Sequence, residues 1–170
     1  MALLNYTTQI ATQKTVSEIH AMLARQKAQA IMTEYDAEGN MDALSFRIQT
    51  SAGVMTFRLP ANIQKIYQAI VRDKRITPKL RTREQAARVA WRIIKDWLEA
   101  QLAIVSAEMV DFEQAFLPYA QGSDGVTLYE SLKERRFQGL AIMDSSNDEV
   151  CDGGRKTSEL KQPANRHSQD

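Results

Sequence analysis

Two rhythms of hydrophobic and polar positions run along the chain, and the period of two is clearest in "ALSFRIQTSAGVMTFRLP", residues 43–60. A turn over Thr50 to Gly53 pairs Gln49 with Val54, and so sets Ile48 opposite Met55, Phe46 opposite Phe57 and Leu44 opposite Leu59. All three apolar pairs then share one face, and a one-residue slip destroys the match. The other face carries Ser45, Arg47, Thr56 and Arg58, and Pro60, with no amide to donate, ends the ladder. Two shorter β-branched runs predict further strands: "NYTTQI", residues 5–10, and "AIMTEY", residues 30–35, the latter closed by Glu38, Gly39 and Asn40.

Elsewhere the rhythm is helical. Thr15 and Glu18 have capping-box spacing and predict a helix start, with Ile19, Met22 and Leu23 as an apolar stripe towards Ala30. Asn62 is placed to cap a second helix carrying Ile63, Ile66, Tyr67, Ile70 and Val71 on one side. "ITPKLR" breaks it at Pro78. Thr82 and Gln85 form a second capping box, opening a helix that runs to about Met109. Ala86, Ala90, Ile93, Trp97, Ala100 and Ile104 make one stripe of it; Ala87, Trp91, Ile94, Leu98, Leu102, Val105 and Met109 make the next. Two adjacent stripes predict a helix buried over most of its circumference. Gln85, Arg88, Arg92, Lys95 and Glu99 are left along a polar edge. "FEQAFLPYAQGSDG" reads as irregular chain with a turn at 123–125, and "VTLYESLKERR" as a short last helix.

These elements predict an α+β domain over residues 3–143: a small antiparallel sheet packed on one face by helices, with a long buried central helix. From residue 144 onwards the chain is polar and nearly lacks large apolar groups. Burial there cannot offset ordering entropy, so 144–170 is expected to be a disordered tail.

Charge changes the picture more than composition does. The net charge is +1, yet residues 47–95 hold twelve basic residues against Asp73 and Glu84, and residues 96–130 hold seven acids and no base. The candidate nucleic-acid-binding residues are Arg47, Arg58, Arg72, Lys74, Arg75, Lys79, Arg81, Arg83, Arg88 and Arg92, with Lys95 continuing the series. Guanidinium forks suit phosphate oxygens, and such a run tracks a polyanion. Three i,i+4 pairs, Glu84–Arg88, Arg92–Asp96 and Lys95–Glu99, absorb part of the charge, but the loop residues have almost no acidic neighbour in sequence. Arg47 and Arg58 are expected on an open cationic sheet face. Its aromatic residues point away from it, which argues against base stacking there. Trp91 and Trp97 lie on the apolar stripes, where core packing is the simpler role.

Little else bears chemistry. Cys151 is the only cysteine and His20 and His167 the only histidines, which excludes an intramolecular disulfide and a cysteine cluster and all but excludes a histidine-dependent triad or a multi-histidine metal site. Glu99, Glu108, Asp111 and Glu113 match no metal-binding motif and read as a solvated helix end. No phosphate-binding loop or dinucleotide fingerprint is present. Neither an enzymatic activity nor a cofactor is expected. No basic-flanked apolar leader opens the sequence and no run reaches the ~20 apolar residues of a membrane span, so the expectation is a soluble cytoplasmic protein.

"SFRIQT…FRLPANI" followed by "TREQAARVAWRIIKDWLEAQLA" resembles small proteins carried by phages, prophages and related mobile elements, over the body of the chain up to "TLYESL". The resemblance implies a genomic setting and carries over no site residue. Small non-enzymatic proteins in that setting commonly bind nucleic acid or bind and block a host protein. The leading expectation is therefore nucleic-acid binding through the basic segment. The alternative is a protein-binding module, either an inhibitor of a host factor or a homo-oligomer joined through its basic and acidic surfaces.

Overall fold

The hairpin forms in the expected register. The computed structural model describes residues 3–138 and 140. In it β2 (Met41–Thr50) pairs antiparallel with β3 (Gly53–Pro60), Phe46 facing Phe57, Leu44 facing Leu59 and Ile48 facing Met55. Gly53 takes φ +119 in the turn, and the Thr50 hydroxyl donates to its carbonyl at 2.8 Å. On the other side β2 pairs with β1 (Ala30–Tyr35), giving sheet order β1-β2-β3. Their connection is tied by Asp36, whose carboxylate accepts from the amides of Glu38 and Asn40, with Gly39 at φ +80.

The core lies on one face of this sheet. Leu44, Phe46, Ile48, Phe57 and Leu59 meet Val16, Ile19 and Leu23 of α1 (Thr12–Arg25) and Ala90, Trp91, Leu98 and Leu102 of α3 (Arg83–Ser106). Trp91 is fully buried and its indole N–H donates to the Met41 carbonyl at 3.1 Å, joining the central helix to the start of β2. A second cluster joins α2 (Ile63–Arg72) to the first half of α3 through Ile70, Ile76, Ala86 and Val89. The α+β class and the long central helix are thus as the sequence predicts. Met1–Gln138 is one compact unit; the expected domain end at residue 143 and the expected disordered tail over 144–170 lie outside the described residues. Among the described residues no helix is long and apolar enough to cross a membrane.

Local expectations fail where a distant partner outbids a neighbour. Residues 5–10 are a turn and extended chain rather than a strand: Asn5 sits at φ +60, and the carbonyls of Tyr6 and Thr8 are taken by the side chain of Gln85. Thr15 does not cap α1, which begins three residues earlier behind Ala11; Thr15 is wholly buried, and Glu18 instead pairs with Arg92. Asn62 stands at the start of α2 in a left-handed conformation, with no capping bond from its side chain. Thr82 does cap α3, accepting from the Gln85 amide at 3.1 Å, but the Gln85 side chain turns inward and leaves the polar edge assigned to it. Helix α3 stops at Ser106, so Met109 lies beyond it and is exposed, while Val89, in neither expected stripe, is buried.

Residues 112–119 are not irregular. They form α4 (Phe112–Phe116) and a single 3-10 turn, and α5 (Leu128–Glu134) follows with a full capping box between Thr127 and Glu130. Phe112 and Phe116 stack on each other and close over the Phe46–Phe57 pair. A bridge between Ala120 and Phe57, with the Gln121 amide donating to the Thr56 carbonyl at 2.8 Å, covers part of the outer edge of β3.

Candidate nucleic-acid interface

The loop between α2 and α3 is built from inside outward. Ile76 is buried in the second cluster and pins the middle of the loop, forcing the flanking polar residues to the surface. Arg81 then folds back, donating through Nε to the Ile76 carbonyl at 3.1 Å and through a terminal nitrogen to the Asp73 carbonyl at 3.5 Å. Asp73 turns the chain out of α2 and holds Arg75, accepting its amide at 3.0 Å and its Nε at 2.9 Å. The guanidinium of Arg75 holds the Asp73 carboxyl down to about 2. Arg83 lies over the Tyr67 ring at 5.5 Å.

Many of the expected binding residues are therefore occupied within the chain. Besides Arg75, Arg81 and Arg83, Arg88 bonds Glu84 and the Gln85 side-chain carbonyl, and Arg92 bonds Glu18 at 2.9 Å and lies 3.7 Å from Asp96. Lys95 pairs with Glu99 and Asp96. The three i,i+4 pairs form as the spacing predicts; the long-range pair to Glu18 and the loop pair to Asp73 were not expected.

The sheet face brings the largest correction. Arg58 is not part of an open cationic surface: it reaches across β2 to Glu34 on β1, donating through Nε at 3.0 Å and through a terminal nitrogen at 2.8 Å. The Ser45 hydroxyl donates to the same carboxylate at 2.6 Å from beneath. The Arg58 guanidinium holds Glu34 below the usual carboxylate range. The signal available in the sequence was Glu34 itself, on the outward-facing alternation of "AIMTEY". Arg47 remains exposed.

Four expected residues keep their charge unengaged. Among the described residues, no ion pair or side-chain hydrogen bond holds Arg47, Arg72, Lys74 or Lys79, and all four are exposed. Arg72, Lys74 and Arg75 line a shallow, open basin of about 600 Å³ together with Asp73 and the apolar Leu3, Leu4, Ala69 and Ile93. Lys79 lies on the same exposed segment five residues on. Arg47 does not line this basin. No known protein family matches the chain, and neither a curated protein nor a solved structure is significantly similar to it.

The acidic residues have a structural role that the sequence reading missed. Glu113 of α4 accepts from the Ser51 amide at 2.7 Å, the Ser51 hydroxyl at 2.6 Å and the Ala52 amide at 3.3 Å, so its carboxylate caps the hairpin turn. No group of acidic, histidine or cysteine side chains suited to a metal ion occurs among the described residues.

A pH dependence follows from this cap. Bonding from Ser51, its largest cause, lowers Glu113 from an ordinary value of 4.5 to about 2. A carboxyl depressed in the folded state adds stability above its unfolded value and loses it as pH falls through the folded one. The melting temperature is therefore expected to fall as pH drops from 4.5 towards 2, and a Glu113→Gln variant to fall less steeply over that window. Parallel curves for the two proteins in thermal melts would show that the cap carries no stability.

Proposed function

We propose that the protein binds the phosphate backbone of a nucleic acid through the segment from Arg72 to Lys79. The observation that carries the reading is that Arg72 and Lys74, exposed and without an internal partner among the described residues, line one basin together with Arg75, which Asp73 holds, and that the equally exposed Lys79 follows five residues after Lys74, while most other cations of the basic segment are already bonded inside the chain. Cations without an internal partner give up no existing bond when they meet phosphate. The expected interface is thus smaller than the basic composition of residues 47–95 suggests. The association with phages and mobile elements that the sequence resemblance implies belongs to the same proposal.

Salt tests it. Affinity for duplex is expected to fall linearly on a log–log plot, with a slope of about −0.9 per phosphate neutralised, or about −0.7 on a single strand. Changing Arg72, Lys74 and Lys79 together to Gln should make the slope shallower by about two to three units. The melting temperature should hardly move, because all three side chains are exposed. Arg81 is left out of this set because its bonds to Ile76 and Asp73 shape the loop. Fluorescence titration of labelled single- and double-stranded oligonucleotides is the measurement, and no binding at low salt would retire the reading.

One observation favours a second reading. Leu3, Leu4, Ala69 and Ile93 line the basin beside its cations and Leu4 is 59% exposed, which suits an acidic protein segment that inserts an apolar side chain between the cations. A host protein of that character would lose affinity on Leu4→Ser as well as on the triple change, whereas a nucleic acid would respond to the triple change alone.

A further inference from the structure

The two edges of the sheet differ. Residues 120 and 121 bond to β3, but among the described residues β1 has no strand on its free side. Exposed edges are blunted by proline, lysine, bulges or short length; β1, "AIMTEY", has no proline or lysine, and its one irregularity lies at its far end. Met32 and Tyr35 on it are each 59% exposed. A register shift between Glu34 and Tyr35 ends the regular ladder, leaving Ala30 to Glu34 as the length able to pair.

We infer that β1 is the interface for a second copy of this chain, pairing antiparallel with its own equivalent about a two-fold axis at Met32, to make one six-stranded sheet.

Side-chain alternation sets the register. Ala30, Met32 and Glu34 face the outer surface, since their neighbours Ile31 and Thr33 pair with the core-facing Phe46 and Leu44. A two-fold axis normal to the sheet keeps outer residues opposite outer residues, so Met32 meets the partner's Met32 and Ala30 meets the partner's Glu34. Arg47 stands beside Ala30 on β2. With strands about 4.8 Å apart, Arg47 and the partner's Glu34 are two strands apart with only the small Ala30 between them. The protein already makes a contact across the same two-strand interval: Arg58 on β3 reaches over β2 to Glu34 on β1. Glu34 receives the Ser45 hydroxyl and two Arg58 N–H groups, the Arg58 Nε shared between its two oxygens at 3.2 and 3.0 Å, and its side chain is still 27% exposed, which leaves its outward side open to a second cation. Arg47, exposed and without an ion pair among the described residues, is the donor that fits. Symmetry makes the contact twice. Shifting the register by two residues sets Arg47 over the partner's Met32 or runs the ladder into the irregularity at Tyr35, so charge and backbone select the same alignment.

Sedimentation equilibrium of the full chain is expected to show a monomer–dimer equilibrium that weakens as salt rises. Arg47→Glu, an exposed change, should weaken it by about tenfold or more, since two attractions become two repulsions. In a Cys151→Ser background, Met32→Cys should form a disulfide-linked dimer under mild oxidation, because the two-fold axis sets these residues opposite each other. Val54→Cys, equally outward-facing on β3 and 52% exposed, should not. A monomer at every concentration overturns the inference. So does a dimer that Arg47→Glu leaves intact, or one whose Met32→Cys form cross-links no better than the Val54→Cys form.

Discussion

Replacing Phe57 with alanine is expected to cost about 3–5 kcal/mol of folding stability, a large-to-small change at a site with no solvent exposure. Its ring stacks on Phe46 at 5.4 Å between centroids and meets the edges of Phe112 at 5.5 Å and Phe116 at 6.1 Å. Phe116 in turn contacts Trp97 at 5.5 Å. The ring is therefore where the hairpin, α4 and, through Phe116, the central helix meet. The backbone of Phe57 also bridges to Ala120, so loosening here frees the segment that covers the edge of β3. Against a total of about 5–15 kcal/mol for a typical domain, the change should lower the melting temperature by roughly 10–20 °C. Phe57→Leu keeps most of the volume and should cost clearly less. Denaturant titration with an unchanged slope is the measurement. A loss for Phe57→Ala below about 1 kcal/mol would mean that the four rings do not share one packed site.

That ring cluster shows what the sequence could reveal. The Phe46–Phe57 pairing was legible because a two-residue period on both strands and one turn leave a single register that sets all three apolar pairs on one face. The pairing of those rings with Phe112 and Phe116 was not, because five residues of helix are too short to display a helical period. The same division runs through the charges. Glu84–Arg88 and Lys95–Glu99 follow from a spacing of four on one helix, whereas Arg58–Glu34 and Arg92–Glu18 join residues 24 and 74 positions apart. No local pattern records a partner at that range. The open cationic sheet face was an inference from two strands, and the third strand, β1, supplied the counter-ion. What remains without an internal partner among the described candidates is the part that solvent keeps apart from such partners: Arg72 at the end of α2, Lys74 and Lys79 in the connection that follows, and Arg47 on the outer face of β2. Capping reveals a further limit. Thr82 caps as its spacing predicts, but Thr15, with equivalent spacing, is drawn into the core by the stripe of Val16, Ile19 and Leu23 around it.

Gln85 is the residue at which these local and distant demands meet, and altering it should have the second large effect. It is 1% exposed, and its side-chain amide donates to the carbonyls of Tyr6 at 2.8 Å and Thr8 at 3.0 Å, while its carbonyl accepts from Arg88 at 2.9 Å. It bonds residues 6 and 8 to the central helix, beside a second tie in which the Asn5 side-chain amide donates to Asp96 at 2.7 Å. Gln85→Ala strips two carbonyls of their partner at about 1–3 kcal/mol for each group that stays buried, so a total near 2–4 kcal/mol is expected. Gln85→Glu keeps the shape but replaces the donor by a third oxygen facing the other two. At neutral pH it should cost at least as much, with Arg88 offsetting part of the buried charge. The sign of its pH dependence separates the two variants. A carboxyl forced among carbonyls has its folded-state pKa raised above the ordinary value near 4.3, because only the protonated form can donate. The folded state then binds more protons than the unfolded one, and stability rises as pH falls through the raised folded value, levelling off below the unfolded one. The gap between Gln85→Glu and the parent protein should therefore narrow from pH 7 to pH 5, while the gap for Gln85→Ala stays constant. Hydrogen exchange should show the amides of residues 6–10 losing protection first in both variants. A Gln85→Glu protein whose deficit is the same at both pH values would place its carboxylate in water, and the bonds to Tyr6 and Thr8 would not be what anchors the amino-terminal segment.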